Sequence, residues 1–189
     1  MRLSLAITAA ILTIGSVSMA TTSSVRITTL GPALAPMGNV LFCERYPEDC
    51  EIKGSKKLVQ MTEARRKELK EINTKINNAI SPKPDVDREP IDQWIVNPVA
   101  GDCDDYAVTK RHELIRLGWP TSAVLLTEVH RSDGAHHLLV IARTSAGDFV
   151  LDNLQPAVRG LAQAKSDYQW VRMQSENDPR SWDIARVEG

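Results

Sequence analysis

The chain has 189 residues, of which 42% are hydrophobic and 25% charged, with 23 basic and 24 acidic side chains. This composition excludes a disordered chain and a membrane bundle, and the near balance of charge provides no basic face for a nucleic-acid partner. The length suits one domain built around a single hydrophobic core.

The first twenty residues differ in composition from the rest. Arg2 is followed by an apolar run from Leu5 to Val17 and then by a Ser-x-Ala pattern, which is typical of a cleaved secretory signal peptide. The run is too short to span a bilayer comfortably and no second candidate follows, so we prefer a cleaved signal at residues 1–20 to a membrane anchor. We expect the mature chain, residues 21–189, to be a single periplasmic or secreted domain without a transmembrane segment.

Residues 21–60 are rich in Thr, Ser, Pro and Gly and show little apolar periodicity, which predicts an extended arm. Cys43 and Cys50 lie close together in this arm. Because an oxidising compartment pairs thiols that can reach each other, we expect a local disulfide between them. Cys103 is then left outside the disulfide.

The next segment predicts an amphipathic helix. Leu69, Ile72, Ile76 and Ala79 recur at three- and four-residue steps in "MTEARRKELKEINTKINNAI", and Thr62 is a suitable N-cap. The proline-rich "SPKPDVDREP" ends this pattern with a loop. We therefore divide the mature chain into an N-terminal arm and helix, residues 21–90, and a core, residues 91–189.

The core begins with a second predicted helix and continues with strands. The helix runs from Asp102 to Leu117 and places Cys103 in its first turn. The stretches "SAVLLTEV", "HHLLVIART" and "FVLDNL", separated by the turns "HRSDGA" and "SAGD", predict an antiparallel three-stranded meander covered by this helix, and "YQWVRM" predicts a further strand. The order indicates an α+β fold.

The position of Cys103 has two opposing effects on formation of its thiolate. A helix N-terminus stabilises a thiolate, whereas Asp102 and Asp104 oppose it unless their charge is used in capping or on a cation. A cysteine nucleophile also needs a histidine that accepts the proton and a group that orients the histidine.

Four histidines are candidates for this base. His112 lies nine residues along the same helix, about 13 Å of rise away, which is too far. His130 ends a strand and suits the surface. His136 and His137 begin the central strand and point to opposite faces, so alternation does not choose between them, and either could be an ordinary structural histidine.

Asp152 gives further support for a catalytic site. A carboxylate in the apolar stretch "FVLDNL" needs a partner to offset its desolvation, and a histidine on the neighbouring strand is suitable. The alternative is a turn-forming Asp-Asn pair at the strand end. A cysteine at a helix start, a strand histidine and an aspartate from the next strand together repeat the layout of papain-like thiol enzymes.

These stretches also resemble a known family. "GDCDDYAVTKRHELIRLGWP", "VLLTEV", "HHLLVIARTSAGDFVLDNL" and "SENDPRSW" resemble the bacterial transglutaminase-like cysteine peptidases, which are similar to periplasmic proteases that release adhesins from the cell surface. The resemblance implies a papain-like, transglutaminase-like core with Cys103 as nucleophile, His137 as base and Asp152 as orienting acid. It favours His137 over His136 because the family histidine precedes small or apolar residues, here "LLV".

The resemblance implies two accessory features. Trp94 corresponds to a tryptophan ahead of the cysteine loop and would shape the cleft or the oxyanion site, or would be a core or lid aromatic. The adhesin-releasing members need calcium near the cysteine, and Asp102 and Asp104 are candidate ligands. Two carboxylates are too few for a complete site, and the alternative is that Asp102 caps the helix while Asp104 and Asp105 favour its positive end. The chemistry itself requires no cofactor.

The leading hypothesis is an exported cysteine peptidase or amide hydrolase that forms an acyl-thioester intermediate. Its substrate would be a protein or peptide, such as a surface or periplasmic protein. The chain lacks a long insertion between Trp94 and Cys103 found in the adhesin proteases, which leaves the substrate open. Two alternatives are amide transfer of the transglutaminase type and a non-catalytic periplasmic binding module that retains the fold.

Overall fold

The computed structural model describes residues 24–55, 58–83 and 93–188, so the predicted signal peptide at residues 1–20 and most of the predicted loop, residues 84–90, lie outside the described part. In chain order the helices and strands are β1 (Ile27–Ala33), α1 (Met37–Arg45), α2 (Glu63–Ala79), β2 (Ser81–Pro82), β3 (Ala100–Gly101), α3 (Cys103–Arg116), β4 (Val124–Arg131), β5 (His136–Thr144), β6 (Gly147–Leu151), β7 (Arg159–Gly160), α4 (Leu161–Ala164), β8 (Tyr168–Gln174) and β9 (Trp182–Val187). Within the described ranges, no helix combines the length and the apolarity needed to cross a bilayer.

A seven-stranded sheet organises the fold, in the order β1-β9-β8-β4-β5-β6-β7. All its neighbouring strands are antiparallel, and β2 and β3 form a separate parallel pair. The predicted meander is present as β4, β5 and β6, which confirms the α+β class. One boundary differs from the prediction, because β6 ends at Leu151 and Asp152 follows the strand instead of lying within it.

The predicted first helix is α2. The Thr62 hydroxyl oxygen accepts a hydrogen bond from the Arg65 amide at 3.2 Å, as expected for an N-cap. Leu69, Ile72 and Ile76 are buried on the side that packs against the core, whereas Ala79 in the last turn is exposed. Local capping and periodicity therefore placed this helix correctly.

The prediction of an extended arm for residues 21–60 is wrong in its described part. β1 is the edge strand of the main sheet and pairs with β9, and α1 is a helix that buries Phe42. Both elements depend on distant partners, which the weakly periodic local sequence does not indicate. A disulfide joins Cys43 to Cys50, with the sulfur atoms 1.99 Å apart.

The central strands are covered on both faces. Leu138, Val140 and Ala142 of β5 pack with α2 and α3 in one apolar cluster, while Leu139 and Ile141 pack in a second cluster with α4. This arrangement explains the nearly continuous apolar runs of the meander, since a strand buried on both faces does not alternate.

Arg111 anchors α3 to the sheet. Its buried guanidinium donates from Nε to the Val124 carbonyl at 3.0 Å and from Nη1 to the Asp49 carbonyl at 2.7 Å. Burial lowers the pKa of Arg111 to about 10, and the Asp49 carboxylate opposes this shift. The second half of α3 is thereby held where β4 begins, opposite the end of the β4–β5 pair that carries His137.

Candidate active site

Cys103 is the first residue of α3 and is half-buried against the cluster beneath that helix. Asp102 occupies the N-cap position with extended backbone, but its side chain makes no capping hydrogen bond. The alternative in which the Asp102 side chain caps the helix is therefore wrong. The thiol lies beside the N–H groups of the first helical turn, where negative charge is favoured.

The loop that leads into α3 is fastened to its first turn by Asp105. The Asp105 carboxylate accepts a hydrogen bond from the Ile95 amide at 2.7 Å. A Cβ atom at Gly101 would lie 1.9 Å from the other carboxylate oxygen of Asp105, so the loop can approach the helix this closely only with glycine. These contacts set the backbone path immediately before Cys103.

Asp104 is buried at the same helix end without hydrogen-bond donors. Among the described residues, neither of its carboxylate oxygens has a hydrogen-bond partner, and its ligand atom, that of Asp102 and the Cys103 sulfur lie within 4.8 Å of one another. A buried carboxylate is costly unless it is compensated. Carboxylate oxygens are the ligands that calcium prefers, so this pair fits part of a calcium shell.

His137 and Asp152 form a buried pair at the start of β5. His137 Nε2 lies 2.9 Å from Asp152 Oδ1, and the two residues are 3% and 2% exposed. Asp152 Oδ1 also accepts a hydrogen bond from the Leu154 amide at 2.9 Å, while Oδ2 accepts one from the Tyr168 hydroxyl. Since Nε2 is engaged with the carboxylate, Nδ1 is the ring nitrogen that remains for other chemistry.

The surroundings of Asp152 favour its ionised form. Burial by itself raises the pKa of this carboxyl, but the hydrogen bonds from His137, Tyr168 and the Leu154 amide, with the charge of His137, outweigh burial and hold the pKa below its usual value. Burial and the Asp152 carboxylate conversely raise the pKa of Tyr168. The sequence did not indicate Tyr168, because its contact depends on how β8 pairs with β4.

The other histidines lie in different surroundings. His112 Nδ1 is 2.8 Å from Asp49 Oδ2. His136 is exposed, and its Nδ1 lies 3.1 Å from Glu128 Oε1, whereas its neighbour His137 is buried beside Asp152. The pairing with a buried carboxylate therefore separates the two histidines that sequence alternation left open.

Lys110 is a second buried charge that sequence analysis did not assign to the site. It lies on α3 and is 1% exposed, with its Nζ 6.0 Å from the centre of the Tyr106 ring. Burial lowers the pKa of Lys110 to about 7, although the Asp152 carboxylate raises it in part. Lys110 and the Asp152 carboxylate are therefore close enough to interact electrostatically.

Trp94 is buried in the core cluster. Its ring centre lies 6.5 Å from the ring centres of both Phe42 and Trp182. A Cβ atom at Gly38 would lie 2.4 Å from Trp94 Nε1, so α1 packs tightly against this ring. Trp94 is thus a core aromatic, and its role at the cleft or the oxyanion site stays a prediction.

Comparison with known proteins gives one family and one fold. The model of the bacterial transglutaminase-like cysteine proteinases matches residues 29–188. Calcium-bound LapG of Legionella pneumophila superposes with a TM-score of 0.51 at 20% identity, over 60% of this chain and 66% of that one. Two further LapG structures, one EGTA-treated, match with TM-scores of 0.49 at 21% identity, over 60% of this chain and 65% and 64% of theirs. This chain thus covers slightly less than two thirds of LapG, and no curated protein sequence matches it.

Tyr168→Phe is expected to lower the free energy of unfolding by about 1.5–3 kcal/mol at neutral pH, because it removes a hydrogen bond to a buried carboxylate. The stability that comes from the lowered pKa of Asp152 is present above the ordinary pKa of aspartate and is lost as the pH falls through the folded-state value. The difference between wild type and variant should therefore shrink in acid. Urea unfolding across the acid range measures it.

Tyr106→Phe is the matched control, because the Tyr106 hydroxyl donates to the neutral Ile80 carbonyl at 2.5 Å. Its cost should not change through the same acid range. If the two variants showed the same pH dependence, the Tyr168 hydroxyl would not act through the charge of Asp152.

Lys110→Met is expected to change how stability depends on pH. With a folded-state pKa of about 7, Lys110 binds fewer protons in the folded than in the unfolded chain between this value and its ordinary pKa. In that window the free energy of unfolding of the wild type should rise relative to the variant by up to about 1.4 kcal/mol per pH unit. Chemical denaturation at several alkaline pH values measures the slope, with exposed Lys70→Met as control. Parallel curves for wild type and Lys110→Met would contradict the shift.

Proposed function

Because the chain belongs to the bacterial transglutaminase-like cysteine proteinase family, we propose that it is an exported cysteine peptidase that acts through Cys103, His137 and Asp152. Membership confirms the predicted family and enzyme class. The observation that carries the assignment of residues is the buried His137–Asp152 pair at 2.9 Å, on a sheet that packs against the helix beginning with Cys103.

Cys103 is proposed as the third member of this triad because it is the first residue of α3, and α3 packs against β4 and β5. Arg111 anchors the second half of α3 to the beginning of β4, and Val129 near the other end of β4 pairs with His137. The proposal requires Cys103, which lies eight residues before Arg111 at a rise of about 12 Å, to reach that other end.

In the proposed reaction, His137 Nδ1 accepts the proton of the Cys103 thiol, and the thiolate attacks the carbonyl carbon of a peptide bond. N–H groups at the start of α3 stabilise the oxyanion. The C–N bond breaks as His137 returns the proton to the leaving amine, which leaves a thioester. Water, deprotonated by His137, then attacks the thioester, releases the acid and restores the thiol. Asp152 keeps the imidazole oriented and stabilises its charged form.

Calcium is proposed as an accessory ion of this site. Asp102 and Asp104 would contribute carboxylate ligands, which gives the buried oxygens of Asp104 the compensation they need. A bound cation would neutralise carboxylate charge that otherwise opposes the thiolate. LapG is recorded in calcium-bound form.

Export is proposed on two independent grounds. Residues 1–20 carry the pattern of a signal peptide, and the bond between Cys43 and Cys50 is of a kind that persists in oxidising compartments. The substrate would accordingly be a protein or peptide met outside the cytoplasm.

Cys103→Ala is expected to lower peptide cleavage at least about 10³-fold. Because no particular substrate is assigned, the measurement compares the new protein N-termini that the wild type produces in a periplasmic extract with those that Cys103→Ala produces. Products that require an added amine would indicate amide transfer instead of hydrolysis.

The reactivity of the Cys103 thiol can be measured without a substrate. Iodoacetamide should label Cys103 faster than an ordinary thiol at neutral pH, and His137→Ala and Asp152→Asn should both slow labelling. His112→Asn is the matched control, since His112 is bound to Asp49. Labelling no faster than that of an ordinary thiol in the folded wild type would contradict catalysis and favour a binding module.

Calcium should raise the melting temperature of the wild type, because a ligand of the folded state at a hundred times its Kd stabilises by about 2.7 kcal/mol. Asp104→Asn should abolish this increase, and Asp133→Asn, an exposed carboxylate in the β4–β5 turn, should retain it. An equal calcium response in Asp104→Asn and wild type would exclude Asp104 as a ligand.

A further inference from the structure

We propose that Glu128, His130 and His136 form a binding site for a divalent transition ion of the zinc class. Their ligand atoms lie within 4.8 Å of one another. The proposal is separate from the peptidase activity and concerns a cluster at the end of the β4–β5 pair.

The strand geometry brings the three side chains together. His130 of β4 is paired with His136 of β5, and Glu128 lies two residues before His130, on the same face of β4. The rings of the two histidines are 4.4 Å apart at an angle of 69°. The cluster therefore follows from the register of two adjacent strands.

One ring nitrogen of the cluster, His130 Nε2, is buried without a hydrogen-bond partner in the described part of the chain. A buried ring nitrogen without a partner costs free energy, and coordination to a metal would recover it.

An outer hydrogen bond orients the Glu128 carboxylate, as is usual for metal-binding carboxylates. Arg172 Nε donates to Glu128 Oε2 at 2.6 Å, which holds the carboxylate and leaves Oε1 directed at His136 Nδ1, 3.1 Å away. An outer hydrogen bond of this kind orients a metal ligand. The ligand spacing of a tetrahedral zinc site is about 3.3 Å for bonds of about 2.0 Å. Small rotations of the exposed His136 ring would meet this spacing.

The donor set selects the class of ion. Two imidazoles and one carboxylate suit zinc, copper or nickel, whereas calcium and magnesium prefer oxygen ligands. The carboxylates at the start of α3 have the opposite preference. The two candidate sites are thus chemically distinct, although His136 is adjacent in the chain to His137.

Isothermal titration with ZnCl₂ tests the proposal on the tag-free full chain carrying Cys103→Ala, so that the reactive thiol cannot bind the metal. We expect one saturable site that excess Ca²⁺ does not displace. His130→Ala and His136→Ala, each added to Cys103→Ala, should weaken Zn²⁺ binding at least about tenfold. Asp133→Asn changes an exposed carboxylate of the same turn and should leave binding unchanged.

The melting temperature separates loss of the site from loss of the fold. Without metal, both histidine variants should melt close to their parent, and Zn²⁺ should raise the melting temperature of the parent more than theirs. Equal Zn²⁺ affinity and stoichiometry in the parent and the His136→Ala variant, or displacement by Ca²⁺, would overturn the proposal. Absence of saturable binding in the folded parent would overturn it as well.

Discussion

The buried carboxylate of Asp152 joins two strands, β5 and β8, to the segment that follows β6. It accepts hydrogen bonds from His137 at the start of β5, from the Leu154 amide after β6 and from the Tyr168 hydroxyl at the start of β8. A buried negative charge is tolerated only when donors surround it. The position of the imidazole thus depends on the pairing of β8 with β4 and of β5 with β6, and therefore on the sheet as a whole.

The start of α3 differs from this arrangement, because a buried carboxylate there lacks hydrogen-bond donors in the described part of the chain. Cys103 lies where helix geometry favours a thiolate, but Asp104 beside it is buried without hydrogen-bond donors among the described residues. Farther along the same helix, burial lowers the pKa of Lys110 to about 7, against the effect of Asp152. Buried charges of this kind are costly and are concentrated at functional sites. A cation at the acidic end would remove part of that cost, which makes the proposed calcium site a matter of stability as well as of chemistry.

Several features were accessible from local sequence because they depend on short-range physics. The N-cap at Thr62 and the periodicity after it placed α2, and the turn residues between apolar runs placed β5 as His136–Thr144. The family resemblance is confirmed by the match over residues 29–188. By contrast, the local sequence predicts an extended arm where β1 and α1 lie, because an edge strand that pairs with β9 and a helix that buries Phe42 are defined by remote contacts.

The sequence by itself determined the family, the α+β class and the list of candidate groups, since helix caps, turn residues and apolar periodicity act within a few positions along the chain. Strand alternation did not choose between His136 and His137, although the family resemblance favoured His137, and no role was assigned to Tyr168, Lys110 or the grouping of Glu128 with His130 and His136. Only the tertiary structure shows which of these side chains are in contact. Strand register and the packing of α3 on the sheet determine which side chains are buried together. A buried charge costs free energy unless a hydrogen-bond donor or an opposite charge compensates it.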